Sequence, residues 1–265
     1  MISFCITTYN SVDTVDTFMK SFQGIDFPYE IIFVDNFSKD GTYQKLKGYE
    51  GDNVKIIQKK CTRGMGRKIG IDNARYSYIC ILDVDVIYLK LCNKIKELLE
   101  NYRDKFVLCS GLDKGSLMSF FPKELILSMG NFPDFNYGED VYIWNIAKGL
   151  GKFIRDPEDP EFAKNIFREQ FASDISTERR YERNIIKLFI RRVSITRDII
   201  FVYNLDFNGV LNFYRIKSDR RKKVVVLLLY LPAKFLSFFI RVPTSEEKAR
   251  EILLHMSDAQ KQNDH

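Results

Sequence analysis

The sequence predicts an α/β fold: a mostly parallel sheet flanked by helices, followed by a basic, mostly helical C-terminal region. Three observations carry this expectation. Apolar runs that read as strands recur at roughly 20-residue intervals with helical patterns between them, as a doubly wound sheet requires. One of these runs, Ile79 to Leu82, is apolar at every position, which suits a strand covered on both faces. Beyond Phe153 the strand pattern stops and the chain turns basic.

Taken in order, Ile2 to Thr8 reads as the first strand. Asn10 or Ser11 then offers an N-cap oxygen to a helix reaching about Phe22. Tyr29 to Asp35 is the second strand, apolar until it ends in a carboxylate, and Asn36 to Gly41 is rich in turn formers. A short helix from Thr42 to Tyr49 and a third strand from Val54 to Gln58 follow. Arg63-Gly-Met-Gly66 introduces a helix running from Gly66 to about Arg75, which leads into the strand ending at Asp83. Leu91 to Tyr102 is amphipathic, with Leu91, Ile95, Leu98 and Leu99 on one face. Phe106 to Ser110 and Leu117 to Phe121 read as strands around a loop from Gly111 to Ser116, and Pro122 to Met129 as a short helix. A loop from Gly130 then feeds a helix that starts near Gly138 and carries Glu139 and Asp140 in its first turn. Carboxylates are favoured at that position by the helix dipole.

The linker Asp156-Pro-Glu-Asp-Pro160 sets an expected boundary, giving an α/β domain over residues 1–155 and a helical region over 156–265. Helices are expected from Phe162 to Phe171, Glu178 to Ile195 and Phe207 to Ile216, and a last one from an N-cap at Ser245. Val224 to Val242 is nearly long enough to span a bilayer, but Pro232 and Lys234 interrupt it and Arg241 closes it. Preceded by Arg220-Arg-Lys-Lys223, it reads as an interfacial segment, a buried helix or a span.

Composition narrows the chemistry. With 265 residues, 45% of them hydrophobic, the chain can bury a large core. Its only histidines are His255 and His265, so a base in the core has to be a carboxylate, Lys, Tyr or Cys. Cys5, Cys61, Cys80, Cys92 and Cys109 follow neither a disulfide nor a zinc spacing, as expected of reduced thiols in a cytosolic protein. The N-terminus enters a strand at once with no basic region or cleavage site, and the expected location is cytoplasmic. The net charge is +6, yet Lys164 to Lys223 holds 15 Lys/Arg against 7 Asp/Glu. That excess ahead of an apolar segment suggests peripheral contact with an anionic membrane. No nucleic-acid-binding signature accompanies it.

The chemistry gathers at strand ends. Right-handed crossovers put Asp35 and the Asp83-Val-Asp85 pair on one sheet edge, where open α/β sheets bind ligands. Carboxylates leaving a dry strand are costly unless they meet a cation. Mg²⁺ or Mn²⁺, which take oxygen ligands and share the rest of their shell with phosphates and water, are the expected cofactors.

In that order, Thr8-Tyr9-Asn10, Asp35-Asn-Phe-Ser38-Lys-Asp40-Gly41, Arg63-Gly-Met-Gly66-Arg67, Asp83-Val-Asp85 and Gly138-Glu139-Asp140 resemble the motifs of family-2 glycosyltransferases, over about residues 1–155. The resemblance implies the GT-A fold, a Rossmann-like sheet, and inverting transfer of a sugar from a nucleoside diphosphate sugar to an acceptor hydroxyl; addition of a single sugar to a lipid-linked or cell-surface glycan is the leading expectation. It also implies residue roles. Thr8, Tyr9, Asn10, Asp35 and Arg67 would contact the nucleotide sugar. Asp85 would hold the metal, Asp83 the ribose or metal, and the acidic pair Glu139 and Asp140 would supply the base, assigned to Asp140.

Asn36 stands where the family usually has a second acid, and Lys68 where it usually has Asn. The Gln-x-x-Arg-Trp motif of processive synthases is missing, since the one Trp is Trp144. A sugar-phosphate nucleotidyltransferase or an inactive membrane-associated scaffold are the alternatives. The first would carry a longer glycine-rich phosphate loop near the N-terminus than Thr7-Thr-Tyr-Asn10 offers.

Overall fold

A computed structural model of the chain describes residues 1–110, 116–157, 159, 161–166, 185–216, 220–240 and 242–263. Strands β1 (Ile2–Thr8), β2 (Tyr29–Asp35), β3 (Val54–Gln58), β4 (Tyr78–Asp83), β6 (Phe106–Ser110), β7 (Ser116–Pro122) and β8 (Phe153–Arg155) form one sheet, ordered β3-β2-β1-β4-β7-β6-β8. β1 lies parallel to β2 and β4, and β2 to β3, while β7 runs antiparallel between β4 and β6. A separate two-stranded ribbon pairs β5 (Val86–Tyr88) with β9 (Ala163–Asn165).

Alternation along β1 divides the core. Ile2, Phe4 and Ile6 face one layer, with Phe18 of α1 (Val15–Met19), Leu46 of α2 (Thr42–Lys47) and Ile95 of α4 (Leu91–Asn101). Cys5 faces the other layer, with Ile71 of α3 (Arg63–Asn73), Ile126 of α5 (Lys123–Ser128) and Ile143 of α6 (Glu139–Gly149). A third, smaller cluster joins Val193 and Ile200 of α7 (Ile185–Tyr203), Val210 of α8 (Phe207–Phe213), and Val226, Leu229 and Ala233 of α9 (Arg220–Ser237). The last helix, α10 (Ser245–Asn263), returns to the sheet domain, where Ala249 is buried against the α6 layer.

Several elements differ from expectation for identifiable reasons. The helix entering from Asn10 is shorter: Thr14 is the N-cap of α1, and Lys20–Phe22 tightens into a 3₁₀ turn. α3 begins at Arg63 rather than Gly66 because the Thr62 hydroxyl caps it, accepting from the Met65 N–H at 3.2 Å. The helix expected from Phe162 is corrected over Ala163–Asn165, which is strand. β5 needs a partner there, and Phe162 closes over Tyr88 with ring centroids 5.7 Å apart. Its continuation from residue 167, the start of the Glu178 helix and most of the loop from Gly111 lie outside the described residues. α10 is capped one residue early, by a reciprocal box in which the Glu247 carboxylate accepts from the Thr244 N–H at 2.8 Å and the Glu247 N–H donates to the Thr244 hydroxyl at 3.3 Å.

The apolar segment at Val224 is helical through Pro232 and two-sided. Val226, Leu229 and Ala233 are buried, while Val224, Leu228, Leu231 and Phe235 point outward, continued by Phe238 and Phe239 at 75% and 65% exposure. Among the described residues no helix is long and apolar enough to cross a membrane.

Candidate active site

Register brings the site together. Thr8 of β1 stands opposite Asp35 of β2, and Thr7 opposite Asp83 of β4, so the three strands deliver their C-terminal residues to one edge. There Asp35 is fully buried and internally satisfied. It accepts from the Thr8 hydroxyl at 3.3 Å, the Ser38 N–H at 3.1 Å and the Gln58 side-chain amide at 3.1 Å, as well as from the Ser38 hydroxyl. Asn10, in a left-handed conformation with φ of 51°, locks the neighbouring turn. Its N–H donates to the Ser38 hydroxyl and its side-chain oxygen accepts from the Lys39 N–H, both at 2.8 Å. Tyr9 keeps an exposed ring at this rim. Asn36 is not a vacant acid position, because its side-chain oxygen accepts the Cys61 N–H at 3.0 Å and ties down the approach to α3.

Arg67 is the hub of the second half of the site. Carried on α3 and buried, it places Nη1 3.1 Å from Glu139 Oε1 and 4.0 Å from Asp140 Oδ2, and Nη2 3.7 Å from Asp83 Oδ1. Arg63, one turn earlier, puts Nε 3.8 Å from the same Glu139 oxygen. The Arg67 guanidinium also lies 5.5 Å from the centre of the Phe132 ring. α3 reaches this position because Gly64 lets it touch the loop before α6: a Cβ at Gly64 would fall 2.0 Å from the Pro133 carbonyl oxygen. The Gly64 N–H donates to the Phe135 carbonyl at 3.0 Å, and the Thr62 hydroxyl donates to Asp134 at 2.5 Å.

Glu139 and Asp140 are adjacent in sequence but not equivalent in space. The Glu139 side chain has 0% exposure, and neither oxygen makes a hydrogen bond although Arg67 is an ion-pair distance away. Asp140 retains 22% and accepts the Val141 N–H at 2.8 Å, so it is the carboxylate that an incoming molecule can reach. Arg67 Nε is likewise buried without a hydrogen-bond partner.

Burial pushes the Asp83 carboxyl up to about 6, opposed by Arg67 and reinforced by the neighbouring Asp85 charge. The side chain nonetheless keeps 40% of its surface, so the carboxylate stays open to an incoming group. Asp85 is raised too, chiefly by desolvation. Its backbone carbonyl accepts the Ile166 N–H at 2.7 Å, which fastens the turn to the β5–β9 ribbon. Four carboxylates, Asp83, Asp85, Glu139 and Asp140, thus gather with two guanidinium groups, a surplus of negative charge that suits a divalent cation. No group of three or more acidic, His or Cys ligands able to hold a metal by themselves occurs among the described residues. This donor set fits an ion that completes its shell with phosphate oxygens and water rather than a protein-enclosed metal.

Residues 3–157 match the family described as Glycosyl transferase family 2. The chain belongs to that family. A curated member-like relative, the poly-beta-1,6-N-acetyl-D-glucosamine synthase of Staphylococcus epidermidis, is 29% identical over 90 residues, covering 32% of this chain and 22% of the synthase. The chain therefore spans about a fifth of the length of that relative. S. aureus TarS 1-349 in complex with UDP is similar in fold, with a TM-score of 0.54, 16% identity, and coverage of 93% of this chain and 76% of TarS. The mannosyltransferase PcManGT from Pyrobaculum calidifontis, in complex with GDP-Man and Mn2+, has a TM-score of 0.55 at 14% identity, covering 97% of this chain and 75% of its own. The sheet described above is the GT-A fold these proteins share.

Within this family 2 transferase, sequence reasoning missed the residues that hold the site rather than form it. Phe132, Thr62 and Asp134 carry no motif of their own, and only the contact of α3 with the loop before α6 reveals them. Lys68, the other departure from the family pattern, points away and pairs with Asp72 at 3.1 Å on the helix surface.

Proposed function

We propose that the chain transfers a single sugar, with inversion, from a nucleoside diphosphate sugar to the hydroxyl of a glycan or lipid-linked acceptor, with Mn²⁺ or Mg²⁺ bound. The observation that carries this reading is the asymmetric carboxylate cluster around Arg67: a surplus of negative charge toward Asp83 and Asp85, and one reachable carboxylate, Asp140, beyond the guanidinium. Asp85 and Asp83 would hold the metal, which when bound supplies neutralising charge for the diphosphate leaving group. Asp140 takes the proton from the acceptor hydroxyl, whose oxygen bonds to the anomeric carbon as that carbon's bond to the diphosphate oxygen breaks. A single displacement needs only this one carboxylate on the acceptor side, unlike a hydrolase with two flanking acids. Glu139, enclosed and paired with Arg67, positions the guanidinium between the two halves of the site. Tyr9 offers an exposed ring to the nucleobase, while Thr8, Asn10 and Asp35 build the turn beneath it.

The neighbours solved with UDP and with GDP-Man and Mn²⁺ support a nucleotide-sugar donor and a divalent ion. Trp144 lies inside α6 and packs on Phe153 rather than forming a processivity motif, which supports single addition. We place the protein on the inner face of the cell membrane, attached by the outward apolar face of α9 and the surrounding basic residues.

The test is a thermal-shift panel of UDP-, GDP- and dTDP-sugars with and without Mn²⁺, on the wild type and on Asp85→Ala. A ligand that binds only the folded state raises stability with the logarithm of its concentration over Kd. One nucleotide class should shift the wild type only with metal and should not shift Asp85→Ala. Absence of any shift from folded wild-type protein would turn the reading toward an inactive scaffold.

A further inference from the structure

The helical region does more than follow the catalytic domain, because α7 holds the loop from which the base emerges. Asp198 of α7 is fully buried, and its carboxylate accepts the Asn136 N–H at 2.8 Å and also a bond from the Tyr137 backbone. The Asn136 side-chain amide reaches the Ser194 hydroxyl at 3.3 Å. Directly after this anchor the chain turns at Gly138, with φ of 73°, against Val202, so that Tyr137 on one side and Tyr203 on the other flank the entry to α6.

These tyrosines join an aromatic group. Phe213 of α8 packs edge-on against Tyr137 at 5.8 Å and Tyr214 at 5.7 Å, and tilts against Tyr203 at 5.6 Å. Tyr203 and Tyr214 remain 39% and 37% exposed, and neither belongs to the buried clusters. The Tyr214 hydroxyl is set by the Thr196 hydroxyl, 3.1 Å away. Burial raises the pKa of both Tyr137 and Tyr203, and the negative charge of Asp140 raises them further.

We propose that Tyr137, Tyr203 and Tyr214, gathered around Phe213 beside Asp140, form the acceptor subsite and take a sugar ring. This rests on the reading of Asp140 as the base. An aromatic ring has a negative face and attracts the partial positive charge of C–H groups, and a sugar presents such groups on one side with hydroxyls at its edge. Tyrosine supplies both partners, a face for the C–H side and a hydroxyl for the edge. A lipid tail would be matched by an uninterrupted apolar wall, whereas here each tyrosine ring ends in a hydroxyl and a carboxylate stands alongside.

The experiment is saturation-transfer NMR on the full chain with the methyl glycosides of glucose, galactose, mannose and N-acetylglucosamine as probes. It needs neither donor nor turnover, so failure of the donor panel above leaves it intact, and the reverse also holds. At least one glycoside should receive saturation on its ring C–H protons. Binding should weaken about tenfold in Tyr203→Ala, survive in Tyr203→Phe, which keeps the ring, and persist in Asp85→Ala. Tyr214→Ala provides a second reading should Tyr203→Ala fold poorly. Saturation of none of the four probes, or equal saturation in wild type and in both alanine variants, overturns the proposal.

Discussion

Arg67 stands within 4.0 Å of three carboxylates and is itself buried, so its surroundings decide what each of those acids can do. Glu139 compensates its charge from inside the protein, and Asp140 meets the solvent. The two should fail differently on mutation. Asp140→Asn is expected to lower turnover by about 10²–10⁴-fold, the usual range for a lost general base, while the donor-induced melting shift is kept. Glu139→Ala leaves a buried guanidinium without its partner and should cost about 3–5 kcal/mol of stability, read as a lower urea midpoint. Loss of turnover without loss of stability in Glu139→Ala would exchange the two roles. The sequence sets both acids at the start of one helix, and the choice of Asp140 as base rests there on resemblance rather than on any difference in surroundings. Their difference arises only when α3 docks, because Gly64 admits the loop before α6 and Arg67 comes to rest over Glu139.

Elements were legible where the chain repeats a physical pattern long enough to show it. β1, β2 and β4 are apolar runs that end in polar or acidic residues, and right-handed crossovers alone put those ends together. β9 was not legible, since Ala163–Asn165 is too short to display an alternation and forms because β5 offers it an edge. Another long-range tie is equally silent in sequence: Lys94 of α4 reaches Asp156, beyond β8, at 2.5 Å, with both side chains almost fully buried. Burial works against the Lys94 charge, but hydrogen bonds to Asp156 and Glu97 outweigh it, and the ammonium titrates above the ordinary lysine range. A base whose pKa is raised by folding stabilises most below its unfolded pKa, about 10.4 for lysine, and loses that contribution as pH climbs through the folded value. Lys94→Met should therefore destabilise by about 3–5 kcal/mol near neutrality, by stranding Asp156. Denaturant midpoints should show the difference from wild type shrinking above pH 10.5 or so. A constant difference across that range would mean that packing, not charge, holds α4.

At the scale of the molecule, one outward surface is apolar along most of α9 and ends in Phe238 and Phe239, with Lys187, Arg191 and Lys222 exposed on the same helical pair. Bilayer contact of this kind combines apolar burial with attraction to anionic headgroups. Sedimentation with vesicles containing phosphatidylserine should carry the protein down, and the bound fraction should fall with added salt. A Phe238→Ser, Phe239→Ser double variant should bind about tenfold less or worse, given the apolar area each ring withdraws from water. Equal binding to neutral vesicles, or no effect of the double variant, would count against attachment by this face. Arg220-Arg-Lys-Lys223 and the apolar run flagged this surface in the sequence, but which side of α9 is covered depends on Val193 and Ile200 of a distant helix.

Packing on the two faces of the central sheet has sealed away three thiols. Cys5, Cys80 and Cys109 sit on β1, β4 and β6, and burial pushes each of them well above the ordinary thiol range. Since the thiolate is the reactive form, alkylating and oxidising reagents find nothing to attack while those strands stay paired. Each thiol becomes chemically visible only when its own part of the sheet opens, so the folded chain carries an internal clock of its unfolding, with one hand on each of three strands.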